Sequence, residues 1–313
     1  MSLPSIEEAA SDIFNRLLRA LEKLPIGRAL PPEQRRLLLI GVLAVVALSL
    51  LGLVYALVSR IVIYGLLASL LAGLATGMGA LPTLFFRRIS EDVLNVMLGG
   101  AAGVMLAATA FSLIVPGVEH GNQLWPGKGV YAVALGLALG VVFLHYAERW
   151  LPHEHDFFHV PRGERKSSRK IWLFVLAITL HNFPEGLSVG VSFGGEDWRN
   201  GIVLAIAIGL QNIPEGLAVA LPLAGLGYSR GKAVGIATLT GLVEPVGGLL
   251  GISAVTLFSP LLPLGMGFAA GAMLFVICDG IIPETHAGRN PRAATFGIMA
   301  GFLIMTILDN AIR

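Results

Sequence analysis

The sequence predicts an all-α integral membrane protein with nine spanning helices, its N-terminus inside and its C-terminus outside. Three observations predict it. Nine apolar stretches lie near or above the roughly 20 residues that a spanning helix needs, at about 37–59, 61–86, 93–116, 129–147, 171–194, 201–226, 232–258, 261–283 and 293–312. Charged residues are 13% of the chain and hydrophobic ones 55%, against roughly 25% charged in a soluble domain, so no soluble core domain fits. The basic residues are one-sided. With the N-terminus inside, only Arg60, Lys128, Arg199 and Arg313 of the 22 Lys and Arg fall outside, which is a positive-inside pattern.

Residues 1–36 form a cytoplasmic N-terminal segment. Within it, 4–25 reads as an amphipathic helix with a capping box from Ser5 to Glu8 and Ile6, Ile13, Leu17, Leu21 and Leu24 on one face. It rests on the membrane or on the protein, and 26–36, which follows Pro25 and contains Pro31 and Pro32, reads as a linker. The first span, within 37–60, has no ionisable residue in its interior and reads as an accessory helix, leaving 61–313 as the core. The second span carries Gly73, Gly77 and Gly79, which suits close helix packing. The third contains Ala101–Leu106 and the eighth the similar Ala269–Leu274, each followed by a proline, Pro116 and Pro283. In the nine-span topology these two helices run in opposite directions, as inverted repeats do. A cytoplasmic loop at 151–170 holds His153, His155 and His159 beside basic residues. Two readings stand for it, weak metal binding and a solvated charged loop. The lone Cys278 excludes an internal disulfide framework. No signal peptide is evident in residues 1–35, and the inner membrane of a bacterium is a natural location.

The chain is organised around a repeated motif. His181-Asn182-Phe183-Pro184-Glu185-Gly186 recurs 30 residues later as Gln211-Asn212-Ile213-Pro214-Glu215-Gly216. Both copies lie at the middle of a span, and so does Glu244, with Met105 close to the same depth. Three ionised carboxylates there cost on the order of 8–10 kcal/mol if unpaired. No Lys or Arg lies at that depth, so the balancing charge must come from protons or a bound cation. His181 and Glu185 are four residues apart and Asn182 and Glu185 three, so these pairs share one side of a helix, and Gln211, Asn212 and Glu215 repeat the pattern. Pro184 and Pro214 leave the carbonyls of Leu180 and Leu210 without their helical donors. Imidazole, carboxylate, amide and thioether donors suit Zn(II), Cd(II), Fe(II), Mn(II) or Co(II) better than Mg(II) or Cu(I). The plainer reading of Glu244 is a packed helix-bridging group, and that of Met105 an apolar core residue.

On these motifs, with Glu244-Pro245 in the following helix, the chain resembles the ZIP (Zrt/Irt-like) metal transporters, in particular the bacterial GufA-like branch, over residues 61–313. The resemblance implies an eight-helix core in a 3+2+3 inverted repeat, here preceded by one extra helix. It implies a binuclear site: His181, Glu185, Gln211 and Glu215 with Met105 nearby for one ion; Asn182, Asn212 and Glu244 for the other, bridged by Glu185 and Glu215. It implies a homodimer that moves Zn2+, and also Cd2+, inward, without enzymatic activity. Two departures stand out: many relatives have His where Gln211 stands, and some an acidic residue where Asn212 stands. The expected partners are divalent metal ions and membrane lipids, with no nucleic acid. By placement, Glu119 and Asp309 would attract the ion outside, and Asp279, Glu284, His286, His153 and His155 would receive it inside. Two alternatives remain: a proton-coupled carrier of another solute, and an intramembrane metallohydrolase, for which the chain lacks an HExxH.

Overall fold

The computed structural model describes residues 6–56, 60–86, 90–150, 168–195, 198–287 and 290–312, and no strand occurs among them. The helices are α1 (Ile6–Lys23), α2 (Pro25–Ala29), α3 (Pro32–Ala56), α4 (Arg60–Ala80), α5 (Glu91–Ala108), α6 (Val115–Leu124), α7 (Gly129–Trp150), α8 (Ser168–Gly194), α9 (Trp198–Gly225), α10 (Arg230–Gly241), α11 (Glu244–Leu257), α12 (Leu261–Phe275), α13 (Ile282–His286) and α14 (Pro291–Ile312). Seven helical stretches among the described residues are long and apolar enough to cross a membrane: Arg60–Leu84, Asp92–Leu124, Gly129–Ala147, Trp198–Gly225, Arg230–Leu257, Leu261–His286 and Pro291–Ala311. Helices α3 and α8 occupy the other two expected spans.

Local chemistry explains where helices start and where they change pitch. Ser90 caps α5 by accepting the Val93 N–H at 3.3 Å. Between α5 and α6 the chain widens into a π-helical turn, Thr109–Ile114, and between α12 and α13 into another, Val276–Ile281. Each turn sits just before a proline, Pro116 or Pro283, whose missing N–H breaks the regular ladder. The proline motifs behave differently. Helices α8 and α9 run through Pro184 and Pro214 as continuous helices. The marked break falls at Leu242–Val243, which lets α11 begin on Glu244.

Packing follows the repeat. Helix α4 lies along α9 as α11 lies along α8; α5 lies along α14 as α12 lies along α7; α5 touches α9 as α12 touches α8. Exchanging α4 with α10–α11, α5–α6 with α12–α13, α7 with α14 and α8 with α9 maps each contact onto another, as an inverted repeat requires. Two bundles result. One holds α4, α8, α9, α10 and α11, and the other α5–α6, α7, α12–α13 and α14. Glycines set the spacing within each. A side chain at Gly186 would run into the Glu244 backbone, at Gly103 into Ile298, and at Gly140 into Phe268.

The N-terminal segment differs from the expected linker. Residues 25–29 form the short helix α2, which docks on α8, and Ala29 and Leu30 bury against Leu173 and Leu176. Arg35 Nε caps the turn by donating to the Leu30 carbonyl at 2.8 Å. Burying Leu30, Leu173 and Leu176, at roughly 1.5–3 kcal/mol for each side chain taken out of water, offsets the cost of ordering so short a helix. Three prolines masked that apolar contact in the sequence. Helix α3 rests on α11 and α4, so the N-terminal helices all join the first bundle.

Candidate metal centre

The two copies of the motif come together in the middle of the first bundle. Helix α8 carries His181, Asn182 and Glu185, helix α9 carries Gln211, Asn212 and Glu215, and α11 starts on Glu244. None of these seven is more than 5% exposed, so each donor faces protein rather than lipid or bulk water. Glycine makes the approach possible. Gly186, after Glu185, admits the Glu244 backbone; Gly216, after Glu215, admits the Thr76 carbonyl of α4; Gly73 admits Gly241. Each motif glycine therefore brings one further helix against its own carboxylate. Met105 is fully buried on α5, in the second bundle.

Glu185 lies within electrostatic reach of Glu215 and Glu244. The only salt bridges among the described residues are Arg16–Asp12 and Arg35–Glu22, both in the N-terminal segment. Among the described residues, no Lys or Arg is paired with the three carboxylates. The carboxylate oxygens of Glu185 and Glu215, Glu244 Oε2, Gln211 Oε1 and both amide atoms of Asn182 are buried with no hydrogen-bond partner in the protein. The Gln211 side chain approaches Glu185 without reaching hydrogen-bond geometry. Among the described residues, no three His, Cys, Asp or Glu side chains converge closely enough to hold an ion by themselves. A full shell at this place therefore draws on the amide oxygens as well. Buried acceptors without donors are costly unless a cation or proton meets them, and this set offers mostly oxygen with one imidazole, the mixed character that suits zinc and its neighbours.

The expected pathway residues that the structure describes all lie on the second bundle. Asp309 on α14 is buried and accepts a hydrogen bond from Ser112 Oγ at 3.0 Å. Glu119 is exposed in the middle of α6. Asp279 is exposed on the second π-helical turn, and Glu284 on α13 is half-buried. His286 Nδ1 and Nε2 lie 2.9 Å from the Ile282 carbonyl and from Thr295 Oγ1, which ties it to α14. His153 and His155 lie outside the described residues, as does most of the loop 151–170.

Sequence reading passed over four groups that the structure brings into play. Thr76 occupies on α4 the place that Glu244 holds on α11, and its hydroxyl is buried without a partner. The pairs Gly73 with Gly241 and Thr76 with Glu244 share one spacing, the one that relates Ala101 to Ala269, so the counterpart was there to find. The Ala72 carbonyl accepts from Asn212 Nδ2 at 2.8 Å. Near the start of α9, Asn200 Nδ2 donates to the Ser112 carbonyl at 2.9 Å and to Ser192 Oγ at 2.8 Å. Pro116 supplies no N–H to that Ser112 carbonyl, and Asn200 supplies one from the other bundle.

Comparison with known proteins places this architecture. Residues 161–309 match the family model described as ZIP Zinc transporter. The zinc transporter GufA of Myxococcus xanthus is 46% identical over 248 residues, covering 78% of this chain and 97% of that protein. The zinc transporter ZIPB of Bordetella bronchiseptica is 45% identical over 251 residues, covering 80% of this chain and 81% of that one. The human zinc transporter ZIP11 is 34% identical over 321 residues, covering 75% of this chain and 93% of that one. These likenesses reach well beyond the two motifs and run through both bundles, and the chain belongs to the ZIP zinc transporter family, on its GufA-like bacterial branch.

Proposed function

We propose that this protein transports zinc ions, and with lower selectivity Cd2+, Fe2+, Mn2+ and Co2+, across the bacterial inner membrane into the cytoplasm by alternating access. The observation that carries the reading is the trio of buried carboxylates, Glu185, Glu215 and Glu244, within one bundle and without a basic partner among the described residues. The names of the relatives support zinc as the substrate, and inward flux follows the family resemblance. One ion is held by His181, Glu185, Gln211 and Glu215, with Met105 facing it from the second bundle. Asn182, Asn212 and Glu244 mark a second position, bridged by Glu185 and Glu215. Glu119 and Asp309 serve entry, and Asp279, Glu284 and His286, with His153 and His155 of the loop, serve release. The working unit is a homodimer with each N-terminus cytoplasmic, residues 1–36 on the inner surface, 37–60 as an accessory helix and 61–313 as the transporter core.

The test is zinc uptake into proteoliposomes. The Glu185→Ala/Glu215→Ala variant, monodisperse on size exclusion, is expected to lose uptake to the level of empty vesicles. Undiminished uptake by that variant would sink the proposal. Uptake of an organic solute without metal would favour a proton-coupled carrier instead.

A further inference from the structure

Asn212 is buried between two oxygen acceptors. Its Nδ2 donates to the Ala72 carbonyl at 2.8 Å and to Glu244 Oε1. A carbonyl can only accept, so the orientation of the amide follows from its surroundings: the NH2 faces Ala72 and Glu244, and Oδ1 faces away. There Oδ1 accepts from Gln211 Nε2 at 2.6 Å. Gln211 Oε1 is left buried and meets no N–H or O–H in the protein.

To bind an ion beside Glu244, Asn212 would have to turn its oxygen where its NH2 now lies. The turn would strand the Ala72 carbonyl, set Oδ1 against Glu244, and take from Gln211 the acceptor that orients it. A buried group stranded in this way costs roughly 1–3 kcal/mol. A carboxylate at 212 would have no N–H to offer and would need a cation between itself and Glu244. The amide makes that cation unnecessary.

We infer that the second position of this chain holds no ion. The Asn212 amide takes its place, tying α9 to α4 and α11 and leaving a single ion for His181, Glu185, Glu215 and the unpartnered oxygen of Gln211. This rests on the metal-transport reading and narrows it to one ion per crossing. Thr76 completes the asymmetry, with a hydroxyl where the opposite half of the repeat presents Glu244.

Counting ions on the full chain in detergent tests it. Zinc bound per protomer is measured by equilibrium dialysis and elemental analysis, and the amount bound by Glu185→Ala/Glu215→Ala is subtracted to remove peripheral sites. The difference is expected to be one ion for the wild type and two for Asn212→Asp. X-ray absorption of the zinc-loaded wild type is expected to lack the zinc–zinc distance of ~3.5–4 Å that marks a two-metal site. A wild-type difference of two, or a zinc–zinc distance in the wild type, overturns the inference and leaves the transport reading standing. A folded Asn212→Asp that stays at one ion also overturns it. If that variant does not fold, the wild-type count and spectrum decide. A wild-type difference of zero brings down the transport reading as well.

Discussion

At the scale of single residues, the chemistry of the centre rests on small differences between two nearly equal halves. His181 faces Gln211 across the repeat, and Glu244 faces Thr76. At these two unequal positions the stronger donor belongs to α8 or α11 and the weaker one to α9 or α4. Replacing Gln211 by His is expected to tighten zinc binding by tenfold or more, on the order of 1.4 kcal/mol, because an imidazole nitrogen suits zinc better than an amide oxygen; competition dialysis against a chelator checks it. Farther out, Asn200→Leu removes the donor that serves the Ser112 carbonyl and Ser192. The expected loss is about 1–3 kcal/mol of stability, read as a lower thermal midpoint in detergent, with the core ion count unchanged. The carboxylates were legible in the sequence because a charge inside an apolar run has few structural explanations. Thr76 and Ala72 were not. A threonine raises no cost in a helix, and a backbone carbonyl has no letter of its own.

At the scale of elements, the helices were legible and their junctions only partly so. Apolar length alone located the helices, and α8 and α9 match their expected bounds within a few residues. The π-helical turns were not foreseen: both halves carry one at the same distance before the proline, so comparing the two repeats gives no sign of either. The short helix α2 was hidden because three prolines outweighed an apolar contact that forms only in three dimensions. Glycine substitutions separate packing from flexibility. Gly186→Ile is expected to part α8 from α11 and abolish the monodisperse peak on size exclusion, since the new side chain meets the Glu244 backbone. Gly235→Ala on α10 meets open space and is expected to be neutral or stabilising by up to about 1 kcal/mol.

At the scale of the whole molecule, the N-terminal helices dock on the bundle that carries the metal centre, and touch it through α8, α11 and α4. Removing residues 1–36 is expected to lower the thermal midpoint by several degrees, because Leu173 and Leu176 lose their cover, while zinc uptake per folded molecule stays within about twofold of the full chain. A loss of uptake equal to that of Glu185→Ala/Glu215→Ala would instead make the segment part of the transport machinery. The two short Ala-Gly runs and the charge asymmetry pointed to an inverted repeat, yet the sequence alone did not reveal which helices pair or that the repeat sorts its helices into two bundles. That sorting is a property of long-range contacts, which no local pattern encodes.

The glycine contacts also divide the molecule mechanically. Where glycine lets two backbones interlock, as at Gly186 with Glu244, Gly216 with Thr76, Gly103 with Ile298 and Gly140 with Phe268, both partners belong to the same bundle. Across the seam, Gly265 of α12 meets only the side chains of Val191 and Val255, at ordinary van der Waals distances. Close backbone approach through glycine is thus concentrated inside each bundle, and the seam at Gly265 is packed side chain to backbone. The three carboxylates, His181 and both amide pairs all lie on one side of that seam, and Met105 lies on the other.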